Sequence, residues 1–539
     1  MSTLTYTAVE DIPKVHATAR KAFDSGKTKS LTFRKEQIAQ LGYLIKDNAD
    51  RLREALHADL GRPYEETDML DFGPAFGQIK LAYESVEKWN KPQSVDFSLN
   101  WFPMRPKMFP EPKGVALLIA PFNIPIFLLF GPLTSAIAAG NAAVLKPSEQ
   151  TPATSQLLAE LLPKYLDPEL YHIVNGGVPE TTRLLELQWD HILYTGNGRV
   201  ARIVAAAAAK HLTPLTLELG GKNPVVLDPK VDIKMAAKRI LWGRFSNSGQ
   251  ICVCPEYVLV PAHFQDTFVD AIKETYQSFF PEGPENSKSF ARIVTEAHAA
   301  RIKRLLDETK GKIVVGGQTD VSKRYIAPTV VRDVTGDDSL MSEEIFGPVL
   351  AIVPVKDVDE AISFIRARDY PLAVYVFSHD KKFQRKGKAA SSLWVHLLKR
   401  LRPTLVFENT KSGAAVVNET VVNAGVPSLP VGGIGPSGTG YYSGKHAFEQ
   451  FSHYRTTLNN PGWVDTLIFN FRYPPFKPSY RKYTAALFGN LPPRPGQKPS
   501  FAKRWGFWIV FALVGASSVL LTKQGRLLSL TQLKGLIRA

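Results

Sequence analysis

From Gly114 onward the chain alternates short apolar runs with longer helical patterns, and this alternation restricts the fold more than any other feature of the sequence. GVALLIA reads as a strand, PLTSAIAAG as a helix beginning at Pro132, AAVLKP as a strand, and TPATSQLLAELLPKYL as a helix with Thr151 as N-cap and Pro152 in its first position. YHIVNGG, PETTRLLEL, DHILYTG and NGRVARIVAAAAAKHL continue as strand, helix, strand and helix. Strands that are apolar throughout and separated by helices predict a parallel, doubly wound α/β sheet whose ligands bind beyond the carboxyl ends of its strands. A second series begins around TLELGGKNPVVLD and runs to about residue 426, so two α/β domains with a cleft between them are expected. Ahead of both, residues 8–90 carry helical periodicity, with Ile38, Leu41, Leu44, Ile45, Leu52 and Leu56 on one stripe.

The charge is unevenly placed. Of a net +16, the stretch from Arg455 to the end holds 13 Lys and Arg against the single acid Asp465, and Gly387–Leu405 holds four more cations with no acid. A neutral body with a basic tail points to an anionic membrane surface, and no zinc-finger spacing or RNA-recognition signature supports nucleic acid as a partner. Trp505–Thr522 is 18 consecutive uncharged, mostly apolar residues bracketed by Lys503, Arg504, Lys523 and Arg526, just long enough to cross a bilayer as a tail anchor. The longer uncharged run Gly114–Leu145 contains Pro121, Pro125 and Pro132 and reads instead as buried strand, loop and helix. Eight prolines in 460–500 make a semi-extended spacer. The N-terminal segment has no apolar run of signal-peptide length, so synthesis is expected to begin in the cytosol. The two cysteines, Cys252 and Cys254, sit too close together for an unstrained bridge, and a reducing compartment with free thiols follows.

Three residues have the chemistry of a reactive site. Cys252, in NSGQICVCP, is a nucleophile if it ionises and a small buried hydrophobe if it does not; Cys254 fits the second description better. Glu218 ends an apolar strand in LTLELGGK, where a carboxylate is either solvated or a general base raised by apolar surroundings. Asn123, in APFNIP, follows a strand and either donates to a developing oxyanion or closes a turn. Gly196 closes the strand HILYT and opens an Ala-rich helix, where backbone N–H groups suit a diphosphate. The match to G-x-G-x-x-G at Gly433, Gly435 and Gly438 encloses Pro436 and reads as a turn.

Taken together, APFN at 120–123, AAGNAAVLKPSE at 138–149, YTG at 194–196, LTLELGGKNP at 215–224, NSGQICVCPEYV at 247–258 and EEIFGPVL at 343–350 resemble the NAD(P)-dependent aldehyde dehydrogenases. FSHYR at 451–455 and the hydrophobic tail are similar to the class 3, membrane-bound fatty aldehyde dehydrogenases in their fungal form. The resemblance implies an aldehyde dehydrogenase fold: N-terminal helices and a Rossmann-like cofactor domain over 1–217, a catalytic domain over 218–426, a return and oligomerisation segment over 427–459, a linker over 460–502, and a tail anchor over 503–539 with a transmembrane helix at 505–522.

The resemblance also implies roles. Cys252 would attack the aldehyde carbon, the Asn123 amide and the Cys252 backbone N–H would hold the oxyanion of the thiohemiacetal, and Glu218 would activate the water that hydrolyses the thioester. Lys146 and Glu149 would contact the adenosine ribose, Gly196 the diphosphate, Glu344 the nicotinamide ribose, and Phe346 the nicotinamide. A carboxylate at Glu149 favours NAD, with NADP possible, and no metal is expected. The expected partners are a lipophilic aldehyde (fatty, apocarotenoid or aromatic), a membrane reached through the C-terminal helix, and a second copy in a homodimer. Endoplasmic reticulum and mitochondrial outer membrane are both compatible with a cytosol-facing anchor. A silent membrane scaffold and a coenzyme A-acylating enzyme are the alternatives.

The sequence departs from the family pattern in three places. Ala201 replaces a second glycine after Gly196, Ser443 replaces a family histidine in Tyr442-Ser443-Gly444-Lys445, and the 19 residues at 387–405 interrupt the pattern as a retained intron or a real basic loop would.

Overall fold

The computed structural model describes residues 4–98, 100–379 and 405–488, with Leu491 and Gly496. The chain divides into two compact units, one of Met1–Ser94 with Lys107–Thr457 and one of Val95–Pro106 with Leu458–Ala539.

Two sheets organise the first unit. In the first, the strand order is Gly438–Thr439, Leu215–Leu219, His191–Gly196, Val115–Ile119, Ala142–Lys146 and Tyr171–Ile173, parallel except for the two-residue edge. Chain order reverses beside Val115–Ile119, which lies between Ala142–Lys146 and His191–Gly196 and so creates a crevice at the strands' carboxyl ends. The second sheet runs Lys312–Val315, Thr329–Arg332, Val349–Val355, Pro255–Pro261, Asn223–Leu227, Ala373–Phe377 and Ala414–Val417, parallel after the first pair. Along Pro255–Pro261, Val258 and Val260 pack in one core cluster while Tyr257 and Leu259 pack in another. That alternation is the period of two carried by a strand covered on both faces, where each buried aliphatic side chain contributes about 1.5–3 kcal/mol. The N-terminal stripe is split between the helices Leu31–Asp47 and Ala49–Leu60, and all six of its apolar residues are buried in the core shared with the first sheet.

Three expectations need correction. The helix predicted from Pro132 runs Phe127–Ala139, with Pro132 inside it, because Asp71 Oδ1 accepts from the N–H groups of Ile126 and Phe127 (2.9 Å each) and caps the helix upstream. Thr151 is the N-cap residue of the helix Pro152–Tyr165, with Pro152 first as expected, but its side chain makes no capping bond: its hydroxyl donates to Ser148 O, and Asp59 accepts from the N–H groups of Ala153 (3.1 Å) and Thr154 (2.8 Å). TLELGGKNPVVLD does not open the second series as one piece, since Leu215–Leu219 closes the first sheet and Asn223–Leu227 belongs to the second.

Three short strands, Gln93–Ser94, Lys107–Pro112 and Ser452–Thr457, form a separate antiparallel sheet. Among the described residues no helix is long and apolar enough to cross a membrane. The predicted span 505–522 and all of the predicted insertion except Leu405, which opens the helix Leu405–Asn409, lie outside the described residues.

Candidate active site

The crevice is built from strand ends. Lys146 is the last residue of Ala142–Lys146; its buried Nζ pairs with Glu149 Oε2 at 2.6 Å on the following loop. Gly196 ends His191–Gly196 so close to the Tyr194 hydroxyl that a Cβ there would lie 2.3 Å from it. Beside Gly196, the Thr195 hydroxyl is buried with no partner. Asn197 then caps the helix Gly198–Ala209, its side chain accepting from Val200 N–H at 3.0 Å.

Asn123 follows Val115–Ile119 and is locked to the loop that carries Cys252. Its Nδ2 donates to Gln250 O (3.0 Å), which leaves its second N–H uncommitted. Asn247 Nδ2 donates both to Asn123 O (2.9 Å) and to Gln250 O (3.1 Å). Behind them lies Arg62, fully buried: it donates through Nη1 to Asp71 Oδ2 (2.5 Å), through Nε and Nη2 to Asn247 Oδ1 (3.0 and 2.8 Å), and through Nη2 to Asn123 O. The turn before the cysteine is left-handed at three consecutive residues, Asn247, Ser248 and Gly249. A Cβ on Gly249 would lie 2.2 Å from Gly347 O, so only glycine fits there. On the far side, Asn223 Nδ2 donates to the carbonyls of Cys252 (2.8 Å) and Cys254 (2.9 Å), clamping the loop from both flanks.

Half-buried Cys252 and buried Glu218 share one electrostatic environment. Burial pushes the Cys252 thiol far up, and the carboxylates of Glu344 and Glu218 add to the shift. Burial alone drives Glu218 well above the usual carboxylate range, and its Oε1 is buried without a partner. Glu344 is pushed up to about 8, by burial first and by the Glu256 charge second. Its carboxylate lies against Gly220, where a Cβ would come within 2.2 Å of Oε2; a side chain at 220 would expel it. Glu256 is the counterweight. Burial would raise it, but Arg244 and Lys222 overcome that and hold it at about 2. Its Oε1 accepts from Arg244 (2.6 Å), and its Oε2 accepts from Lys222 (3.0 Å) and from Ile345 N–H (2.9 Å), which fixes the loop bearing Glu344 and Phe346. Phe346, with φ 49°, meets Phe122 edge to face at 5.8 Å, one residue from Asn123. Cys254 is inert by comparison: buried, its thiol donating to Gly243 O.

The structure thus brings Cys252, Glu218, Asn123, Glu344 and Phe346 to one locus, and places Lys146, Glu149 and Gly196 along the crevice of the first sheet. Arg62 and Asp71 carry no local signal in the sequence, and Asn247, Gln250 and Tyr442 stand there only as members of motifs; their partners lie up to 185 positions away. Tyr442 is buried beside the site, its phenol driven well above 10 by burial and by Glu218, Cys252 and Asp71.

A doubly wound sheet with a half-buried thiol and a buried carboxylate near the carboxyl ends of its strands is the architecture of a dinucleotide-linked oxidoreductase. The profile of the aldehyde dehydrogenase family matches residues 1–457, and the chain belongs to that family, as an NAD(P)-dependent enzyme. It is 43% identical over 456 residues to the rat protein "Aldehyde dehydrogenase family 3 member A2", covering 85% of this chain and 90% of that one. It is 41% identical to the rat "Aldehyde dehydrogenase, dimeric NADP-preferring", over 85% of this chain and 96% of that one. Among solved structures, Staphylococcus aureus AldH in a substrate-bound state superposes with a TM-score of 0.81 at 36% identity, over 88% of this chain and 99% of that one.

Proposed function

We propose that the chain oxidises long, apolar aldehydes to carboxylic acids, using Cys252 as nucleophile and Glu218 as the base for hydrolysis. The observation that carries this is the buried, unpartnered Glu218 carboxylate acting on the half-buried Cys252 thiol, beside the Asn123 amide. The thiol gives up its proton to solvent as sulfur bonds to the aldehyde carbon, which leaves Glu218 unprotonated for the later step. The free N–H of Asn123 and a backbone N–H at Cys252 hold the resulting oxyanion. An aldehyde hydrogen leaves as hydride only after sulfur has made that carbon tetrahedral and oxygen carries charge that can reform the carbonyl. When bound, NAD(P) supplies the hydride acceptor. Glu218 then removes a proton from water, whose oxygen attacks the thioester carbon and frees the acid and the thiol.

The residues present fit the dinucleotide. Thr195 and Glu218 offer orphaned polar atoms at the strand ends, and Lys146 with Glu149 forms a polar pair suited to a ribose. Glu149 faces a 2′-hydroxyl well and a 2′-phosphate badly, which favours NAD; the NADP-preferring relative makes the comparison direct. Changing Glu149→Gln should raise kcat/KM with NADP relative to NAD several-fold, and an unchanged ratio would remove Glu149 from coenzyme choice.

The apolar substrate class rests on exposed side chains near the Asn123 support. Tyr64, Met69 and Phe76 stand exposed around Asp71, and Val422, Val426 and Leu429 stand exposed on a loop whose Pro427 rests against Gly77. The test is an aldehyde series from hexanal to hexadecanal with purified full chain in detergent, followed by reduction of NAD. Rising kcat/KM with chain length is expected; no NAD reduction with any member would overturn the reading. The chain is further read as a homodimer held by 505–522 at the endoplasmic reticulum or mitochondrial outer membrane. The rat relative described as dimeric supports the first of these, and the apolar run with its basic flanks supports the second.

A further inference from the structure

The second unit is built with its large aromatics on the outside. Among its described residues Met104, Val464 and Phe469 are buried, with Phe471 against them and Trp101 stacked on Phe469 at 5.3 Å. On its exterior, Phe97 is 79% exposed, Phe476 71%, Phe102 51% and Trp463 50%, and the rings of Phe97 and Phe102 touch each other at 5.6 Å. Rings of this size left in water at one small unit mark a surface that something covers.

Charge says what covers it. Arg105, Lys477, Arg481 and Lys482 are exposed, and among the described residues none of them forms an ion pair; Arg472 alone is paired, with Asp465 at 2.5 Å. Cations interleaved with aromatics, as in Phe476-Lys477 and Arg481-Lys482-Tyr483, match an anionic bilayer surface, where rings sit at headgroup depth and cations meet phosphate. Covalent continuity points the same way. Phe488 is 17 residues from Trp505, where the apolar run begins. Once that run is in a bilayer, a tether of at most ~60 Å keeps the unit at high effective concentration over the headgroups.

We propose that the unit of residues 95–106 and 458–488 forms a second membrane contact, with Phe97, Phe102 and Phe476 in the interface and Arg105, Lys477, Arg481 and Lys482 against anionic lipid phosphates. This rests on the membrane anchor proposed above. The test is amide hydrogen exchange on the full chain reconstituted with vesicles of phosphatidylcholine alone or mixed with phosphatidylserine, read by peptide mass spectrometry alongside vesicle flotation. Exchange in 95–106 and 473–485 should slow about tenfold on the mixed vesicles and less on the neutral ones. The pair Phe97→Ser with Phe476→Ser should lose that slowing while still floating and still oxidising a short soluble aldehyde. A chain that floats but shows no lipid-dependent slowing overturns the inference and leaves the anchor standing. Slowing that follows protein concentration without lipid assigns the face to a second copy and also overturns it. A chain that fails to float removes the anchor and this inference together.

Discussion

At the scale of single residues, the site runs on the conflict between burial and charge. Glu218 has no partner to stabilise its ionised form, so its carboxylate is a strong base when formed and is seldom formed at low pH. The sign follows directly: an acid raised by burial is protonated at and above the usual carboxylate range, and hydrolysis needs it deprotonated. kcat should therefore still be climbing with pH above the ordinary carboxylate range. A kcat already flat above about pH 5, as an ordinary glutamate would give, would exclude Glu218 as the base. Glu218→Gln separates the two halves of the reaction. Stopped-flow absorbance should show a burst of NADH close to one per site followed by a steady state lowered about 10²–10⁴-fold, because hydride transfer needs Cys252 and not the base. Loss of the burst together with the steady state would place Glu218 in the first half instead.

At the scale of elements, the nucleophile is held by contacts that sequence spacing does not display. Asp71 joins three of them: it caps the helix Phe127–Ala139, pairs with Arg62, and through Arg62 fixes Asn123 and Asn247. Asp71→Asn keeps an acceptor for the helix N–H groups but strands the Arg62 cation in the core. It should cost about 3–5 kcal/mol, measured by chemical denaturation. The double change Arg62→Met with Asp71→Asn, which keeps an acceptor for the helix and removes the stranded cation, should recover most of that stability yet not the rate, since nothing then orients Asn123. Full recovery of both would show the pair to be mere packing. The same residues mark what was legible. Cys252, Glu218 and Gly196 could be found because each sits where a local pattern ends: a helix giving way to a loop, or a strand giving way to glycine. The helix holding Pro132 starts five residues earlier than the local pattern implies, and the Thr151 N-cap makes no side-chain bond, because Asp71 and Asp59, remote in sequence, supply the acceptors, and a local capping rule has no view of a carboxylate delivered by another helix. Arg62 reads locally as one more surface cation, and only the fold shows it fully buried.

At the scale of the whole molecule, the proposed anchor turns on the length of the apolar run set against membrane thickness. Eighteen residues at 1.5 Å each cover ~27 Å, close to the hydrocarbon thickness of the endoplasmic reticulum and short of the ~32–33 Å of a sterol-rich plasma membrane. Lengthening the run relieves that mismatch, whereas charge reversal around it does not. Residues 456–539 fused to a fluorescent protein should therefore mark an internal membrane, either endoplasmic reticulum or mitochondrial outer membrane. Inserting four leucines after Val510 should move part of the signal toward the cell surface if the reticulum is the normal address. Replacing Lys523 and Arg526 with glutamate should separate the two addresses, because a basic segment behind a short span suits insertion into the mitochondrial outer membrane. A diffuse cytosolic signal from the unmodified fusion would mean that these 18 residues are buried in protein, and that any lipophilic aldehyde must reach the thiol through water.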